Sequence, residues 1–87
     1  MEIIIKVGHP SYNMVEDVEI EEKMTINDMI EELIEANFIS QSPNGYQAIL
    51  KDGREPIQMD LNKTLVENGG HEGSTIRLIS GINAGYR

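Results

Sequence analysis

Thr25-Ile26-Asn27-Asp28-Met29-Ile30-Glu31-Glu32-Leu33-Ile34-Glu35 is the stretch on which the reading of this chain turns. Ile26, Met29, Ile30, Leu33 and Ile34 recur at helical spacing while Asp28, Glu31, Glu32 and Glu35 take the other side, which predicts a helix with one apolar and one acidic stripe. Thr25 marks its start, because a threonine hydroxyl accepts from a free first-turn amide. Asp28, three residues on, takes the place of the usual Glu or Gln of a capping box. Asn37 suits a left-handed terminator, and Ser40-Gln41-Ser42-Pro43-Asn44-Gly45 reads as the loop that follows.

Working outward from the helix, short apolar and β-branched runs predict strands on both sides. Residues 2–7 form one that closes at Gly8-His9-Pro10, where proline removes a ladder donor. Residues 14–20 form a second, with Met14, Val18 and Ile20 on one parity and Glu16 as the exception on it, joined to the first as a hairpin. Beyond the helix, residues 46–51 read as a third strand, Asp52-Gly53-Arg54 as a turn, and residues 56–59 as a short strand that Pro56 places at an edge or a strand start. Residues 62–68 suit one helical turn, residues 69–73 a loop, and residues 75–80 a last strand. The order is ββαββ with a late helical turn. Burying one helix stripe across one face of a mixed sheet gives a two-layer α+β domain over residues 1–80, followed by a flexible tail, 81–87.

Composition narrows the function. Eighty-seven residues hold one compact domain. Seven Lys and Arg against 15 Asp and Glu leave a net charge of −8, the wrong sign for gripping phosphates, so neither nucleic acid nor an anionic membrane is an expected partner. Cysteine is absent, which removes disulfides, thiolate zinc sites and cysteine nucleophiles. The opening Met1-Glu2-Ile3-Ile4-Ile5-Lys6-Val7 lacks the basic start and the apolar run of about 7–15 residues of an export signal, and no apolar run approaches the ~18–20 residues of a membrane span. A soluble, cytoplasmic monomer is expected.

The order of elements, the length and several local strings together resemble ubiquitin and the β-grasp fold over nearly the whole chain. Met1-Glu2-Ile3-Ile4-Ile5-Lys6-Val7 resembles ubiquitin's first strand, Thr25-Ile26-Asn27-Asp28 with Ile30 and Ile34 its helix, and Thr64-Leu65 before Asn68 its late turn. Ser74-Thr75-Ile76-Arg77-Leu78-Ile79 resembles its last strand, and counting on without a gap places Ala84-Gly85 at the family's terminal Gly-Gly, with Tyr86 and Arg87 beyond. Ala84 departs from the family's first glycine. The resemblance implies a prokaryotic ubiquitin-like modifier, made as a precursor, trimmed after Gly85 and activated at the Gly85 carboxylate. Its partners would be an adenylating enzyme, a conjugating enzyme, a processing protease and a protein acceptor, with Lys6, Lys23, Lys51 and Lys63 as the side-chain amines for chain building. Glycine suits that chemistry, because no Cβ hinders attack at its carbonyl and a thin tail threads a narrow channel.

Strand parity sends Ile76, Leu78, Ala48 and Leu50 toward the helix and leaves Arg77, Ile79 and Ile49 facing out. Ile49 and Ile79 match, by the resemblance, two apolar positions that partners of ubiquitin read. With Lys6, Lys51 and Arg77 as a rim they form a candidate docking patch, the alternative being ordinary exposed surface. Nine acids, Glu16, Asp17, Glu19, Glu21, Glu22, Asp28, Glu31, Glu32 and Glu35, make the second strand and the outer helix face negative, either to steer a basic partner or as a solvated face. His9 and His71 lie in separate loops without a metal motif, and no motif places a serine beside either, so no metal, cofactor or catalytic residue is expected. Gly69-Gly70 lacks the lysine and the strand-to-helix context of a phosphate loop and reads as a turn.

A second class remains open: a non-conjugated ubiquitin-like binding module, of the YukD-like type VII secretion group or a regulatory subunit of a multicomponent oxygenase, with the tail passive. A sulfur-carrier protein would use the same glycine carboxylate as a thiocarboxylate.

Overall fold

The computed structural model describes residues 1–80; the predicted tail, with Ala84, Gly85, Tyr86 and Arg87, lies outside the described residues. The elements are β1 (Glu2–Gly8), β2 (Val15–Glu21), α1 (Ile26–Glu35), β3 (Tyr46–Leu50), β4 (Ile57–Gln58), a 3-10 turn (Val66–Asn68) and β5 (Thr75–Ser80). They form one five-stranded sheet in the order β2-β1-β5-β3-β4, in which β1 and β5 run parallel and the other pairs antiparallel. One helix on one face of a mixed sheet is the two-layer α+β, β-grasp arrangement.

The local chemistry of α1 is the one its sequence specifies. The Asp28 N–H donates to Thr25 Oγ1 at 3.1 Å and the Thr25 N–H to Asp28 Oδ2 at 3.3 Å, a complete capping box. Two further first-turn amides are taken by the segment before the 3-10 turn, Ile26 N–H by the Lys63 carbonyl and Asn27 N–H by that of Leu61. At the other end Asn37 sits at φ 63°, Phe38 N–H donates to the Leu33 carbonyl and Asn37 N–H to that of Ile34, the bond pair of a Schellman ending.

The apolar stripe of α1, Ile26, Met29, Ile30 and Leu33, is buried against Ile5 and Val7 of β1, Ile20 of β2, Ala48 and Leu50 of β3, and Ile76 and Leu78 of β5. Each such side chain contributes roughly 1.5–3 kcal/mol when fully buried, which makes this interface the main stabilising term. Met14 differs from the parity expected of it. The strand begins one residue later, and the Met14 carbonyl instead accepts the His9 N–H to close the β1–β2 connection, which leaves its side chain exposed. No helix among the described residues is long and apolar enough to cross a membrane.

Candidate docking surface

Because Ala48, Leu50, Ile76 and Leu78 point into the core, their neighbours on β3 and β5 point out. The antiparallel register sets Ile49 opposite Arg77 and Gln47 opposite Ile79, and β4 adds Gln58 opposite Ile49. Ile49, Lys51, Pro56, Gln58, Arg77 and Ile79 thereby line a shallow groove of about 390 Å³ on the face away from α1. Ile79 is 37% exposed and Ile49 half-buried. Gln58 Nε2 donates to Gln47 Oε1 at 3.2 Å, which ties the rim across β3 and β4. Two cations and no carboxylate line the groove, in a protein that carries twice as many acids as bases.

Of the five residues predicted for the patch, the structure brings four together. Lys6 stands apart: β2 lies on the far side of β1, and the Lys6 ammonium turns to Asp17 there, 3.0 Å from its Oδ1. Pro56 and Gln58 complete the groove and were not singled out from sequence, although the parity that exposes Ile49 also selects its cross-strand partner Gln58.

The same sheet face changes character toward β2. Glu2 pairs with Glu21 and Ile4 with Glu19 across the β1–β2 ladder. A hydrogen bond with Glu2, and the charge of that carboxylate, hold the Glu19 carboxyl above its ordinary value. Beside the helix, Glu21, Lys23, Met24, Asp28, Glu31, Glu32 and Glu35 line a second, acidic groove of about 410 Å³. The outer sheet face is therefore divided, basic and apolar over β3 and β5, acidic over β1 and β2.

Ser74, Asp52 and His71 meet just beyond the Lys51 end of the groove. The buried Ser74 hydroxyl and the Thr75 N–H, the latter at 2.8 Å, both donate to the Asp52 carboxylate, and His71 Nε2 lies 3.6 Å from it. Burial pushes the Asp52 carboxyl up, but the Ser74 hydroxyl, the Thr75 amide and His71 outweigh it and hold the group below its ordinary range. The set is not a nucleophilic triad, because the hydroxyl donates to the carboxylate instead of to an imidazole and has no exposure to a substrate. It pins the end of β3 to the start of β5. Among the described residues no group of three or more His, Asp or Glu is placed to hold a metal ion.

No protein-family model matches the chain, and no curated protein matches it in sequence. Among solved structures it is similar to a designed protein based on ubiquitin, at 22% identity and a TM-score of 0.68, over 99% of this chain and 95% of that one. It is similar to the ubiquitin-like domain of an Arabidopsis thaliana protein, at 20% identity and a TM-score of 0.69, over 99% of this chain and 84% of that one. A chain of toluene 4-monooxygenase, from its HD complex with the inhibitor 4-bromobenzoate, matches at 12% identity and a TM-score of 0.72, over 92% of this chain and 99% of that one. At these identities the likeness establishes the fold, which is ubiquitin-like.

Proposed function

We propose that this ubiquitin-like protein works by docking partner proteins on the outer face of β3 and β5, and that Gly85 is its point of covalent attachment to a target. The groove of Ile49, Lys51, Pro56, Gln58, Arg77 and Ile79 carries the docking half of this reading. It exposes apolar side chains between two cations on a rigid sheet, the composition of an interface core with a polar rim. The covalent half rests on the sequence, where Ala84-Gly85 falls at the family's Gly-Gly in gapless register from β5. In this reading Tyr86 and Arg87 are removed by a protease, and the Gly85 carboxylate is activated and joined to an amine of the acceptor. The chain is a substrate of those enzymes and does no chemistry itself.

A non-conjugated binding module is the second reading. It is supported by the oxygenase chain that shares this fold over its full length, and it uses the same groove with a passive tail. The intact mass of the protein isolated from its native host separates the two. Species ending at Gly85, or joined to another protein through it, support the modifier. A full-length, unmodified chain under every condition supports the module.

A further inference from the structure

Two asparagines among the described residues precede a glycine, Asn44 and Asn68, and the fold treats them differently. Asn44 lies in the loop between α1 and β3, exposed together with Pro43 and Gly45. Its side chain makes no hydrogen bond with another described residue. The turn it belongs to is closed by one bond, from the Gly45 N–H to the Ser42 carbonyl at 3.0 Å. A Cβ built on Gly45 would meet no atom within 4 Å, so nothing packs against the turn there to hold it shut. Asn68, at the end of the 3-10 turn, has its whole side-chain amide engaged. Nδ2 donates to the Asp60 carbonyl at 3.0 Å and to the Thr64 carbonyl at 2.9 Å, and Oδ1 accepts the Asp60 N–H at 2.7 Å. Both hydrogens of that nitrogen are thereby used. The Gly69 N–H is held by the Val66 carbonyl at 2.9 Å, and Leu65, which leads into the turn, is fully buried.

We propose that Asn44 is a site of spontaneous deamidation in the folded protein, converted to aspartate and isoaspartate, and that the fold protects Asn68 from the same reaction. The Gly45 backbone nitrogen attacks Asn44 Cγ, a new C–N bond closes a succinimide ring, and the Cγ–Nδ2 bond breaks. The proton of the Gly45 nitrogen leaves with the side-chain NH2 as ammonia. Water then breaks one of the two imide C–N bonds, giving aspartate when the bond to Cγ breaks and isoaspartate when the bond to the backbone carbonyl carbon breaks. Water is the only reactant consumed. Glycine favours the attack, because no Cβ stands beside the attacking nitrogen. The other asparagines of the described residues precede Met14, Asp28, Phe38 and Lys63, whose side chains crowd it. Opening the turn at Asn44 breaks one exposed bond and uncovers no core, whereas freeing Asn68 breaks three side-chain bonds and unwinds the 3-10 turn. Each conversion adds one negative charge to a chain already at −8, in a loop outside the β3–β5 pairing, which begins at Tyr46. The product is therefore a folded, more acidic form.

The test incubates the full chain in mildly alkaline buffer at body temperature and follows both sites over time by peptide mass spectrometry. A parallel sample is kept unfolded in guanidinium chloride. In the folded chain Asn44 is expected to convert at least about tenfold faster than Asn68, while in guanidinium the two convert at comparable rates. Asn44→Ser, a change at an exposed side chain, is expected to remove the early acidic species from native ion-exchange profiles. Asn44 staying intact in the folded chain while the unfolded chain converts overturns the proposal, as does an acidic species that persists in Asn44→Ser. Asn68 keeping pace with Asn44 in the folded chain, or lagging by the same factor in guanidinium, overturns the protection of Asn68 by the fold.

Discussion

Ile49 and Arg77 stand opposite each other across the β3–β5 ladder, both on the face that α1 does not cover. An aliphatic side chain and a guanidinium as direct neighbours give the sheet a surface that is apolar at its floor and cationic at its rim. No carboxylate lines the groove to neutralise that rim. The floor is free to bury apolar area against a partner and the rim to select acidic surroundings.

Adjacent residues on β5 should respond oppositely to substitution. Leu78 is fully buried, and Leu78→Ala is expected to cost about 2–5 kcal/mol in urea unfolding. Ile79→Asp, one position on, is expected to cost no more than about 1 kcal/mol, from strand propensity and partial packing, because its side chain lies outside the core at 37% exposure.

Asp52 makes the acid limb of stability testable. Its carboxyl is held below the ordinary value of 3.8, so the stability it contributes is complete above that value and is lost as pH falls through its folded-state pKa. Asp52→Asn places an amide against the Ser74 hydroxyl and the Thr75 N–H and is expected to cost roughly 1–2 kcal/mol at pH 6. Unfolding midpoints of parent and variant are expected to converge as pH falls below 3.8.

Gly69 and Gly70 serve different needs. Gly69 ends the 3-10 turn at φ 94°, a conformation L side chains rarely adopt. At Gly70 the constraint is space: a Cβ there would lie 2.8 Å from Leu65 Cγ, and Leu65 is fully buried. Gly70→Ala is expected to destabilise by about 1–3 kcal/mol, measured by thermal or urea unfolding.

Thr25→Ala removes the hydroxyl that accepts the Asp28 amide and is expected to cost about 1 kcal/mol in the same unfolding assay. Asp28→Ala, which breaks the reciprocal bond to the Thr25 N–H, acts on the same box, so the double variant should cost less than the sum.

The helix, its cap and the inward and outward parity of β3 and β5 are legible in the sequence, because each depends on neighbours within a few residues. The Thr64 to Glu67 pair was legible too. It repeats the reciprocal bonding of a capping box at Thr-x-x-Glu spacing. Lys6 was assigned to the patch because parity tells which face a residue takes and not which strand flanks it. The order β2-β1-β5 puts Asp17 beside it. The cluster at Asp52 draws on residues up to 22 positions apart, from Asp52 to Ser74, brought together by the sheet and leaving no local pattern.

The most direct measurement places a photo-crosslinking residue at position 58, in the groove, or at position 67, on the exposed 3-10 turn, in the native host, and reads the adducts by mass spectrometry with and without light. The docking reading predicts light-dependent adducts from position 58 that are absent from position 67 and lost with Ile79→Asp. Adducts present without light and mapping to Gly85 would report the covalent step separately. Equal adducts from both positions, unaffected by Ile79→Asp, would contradict the account.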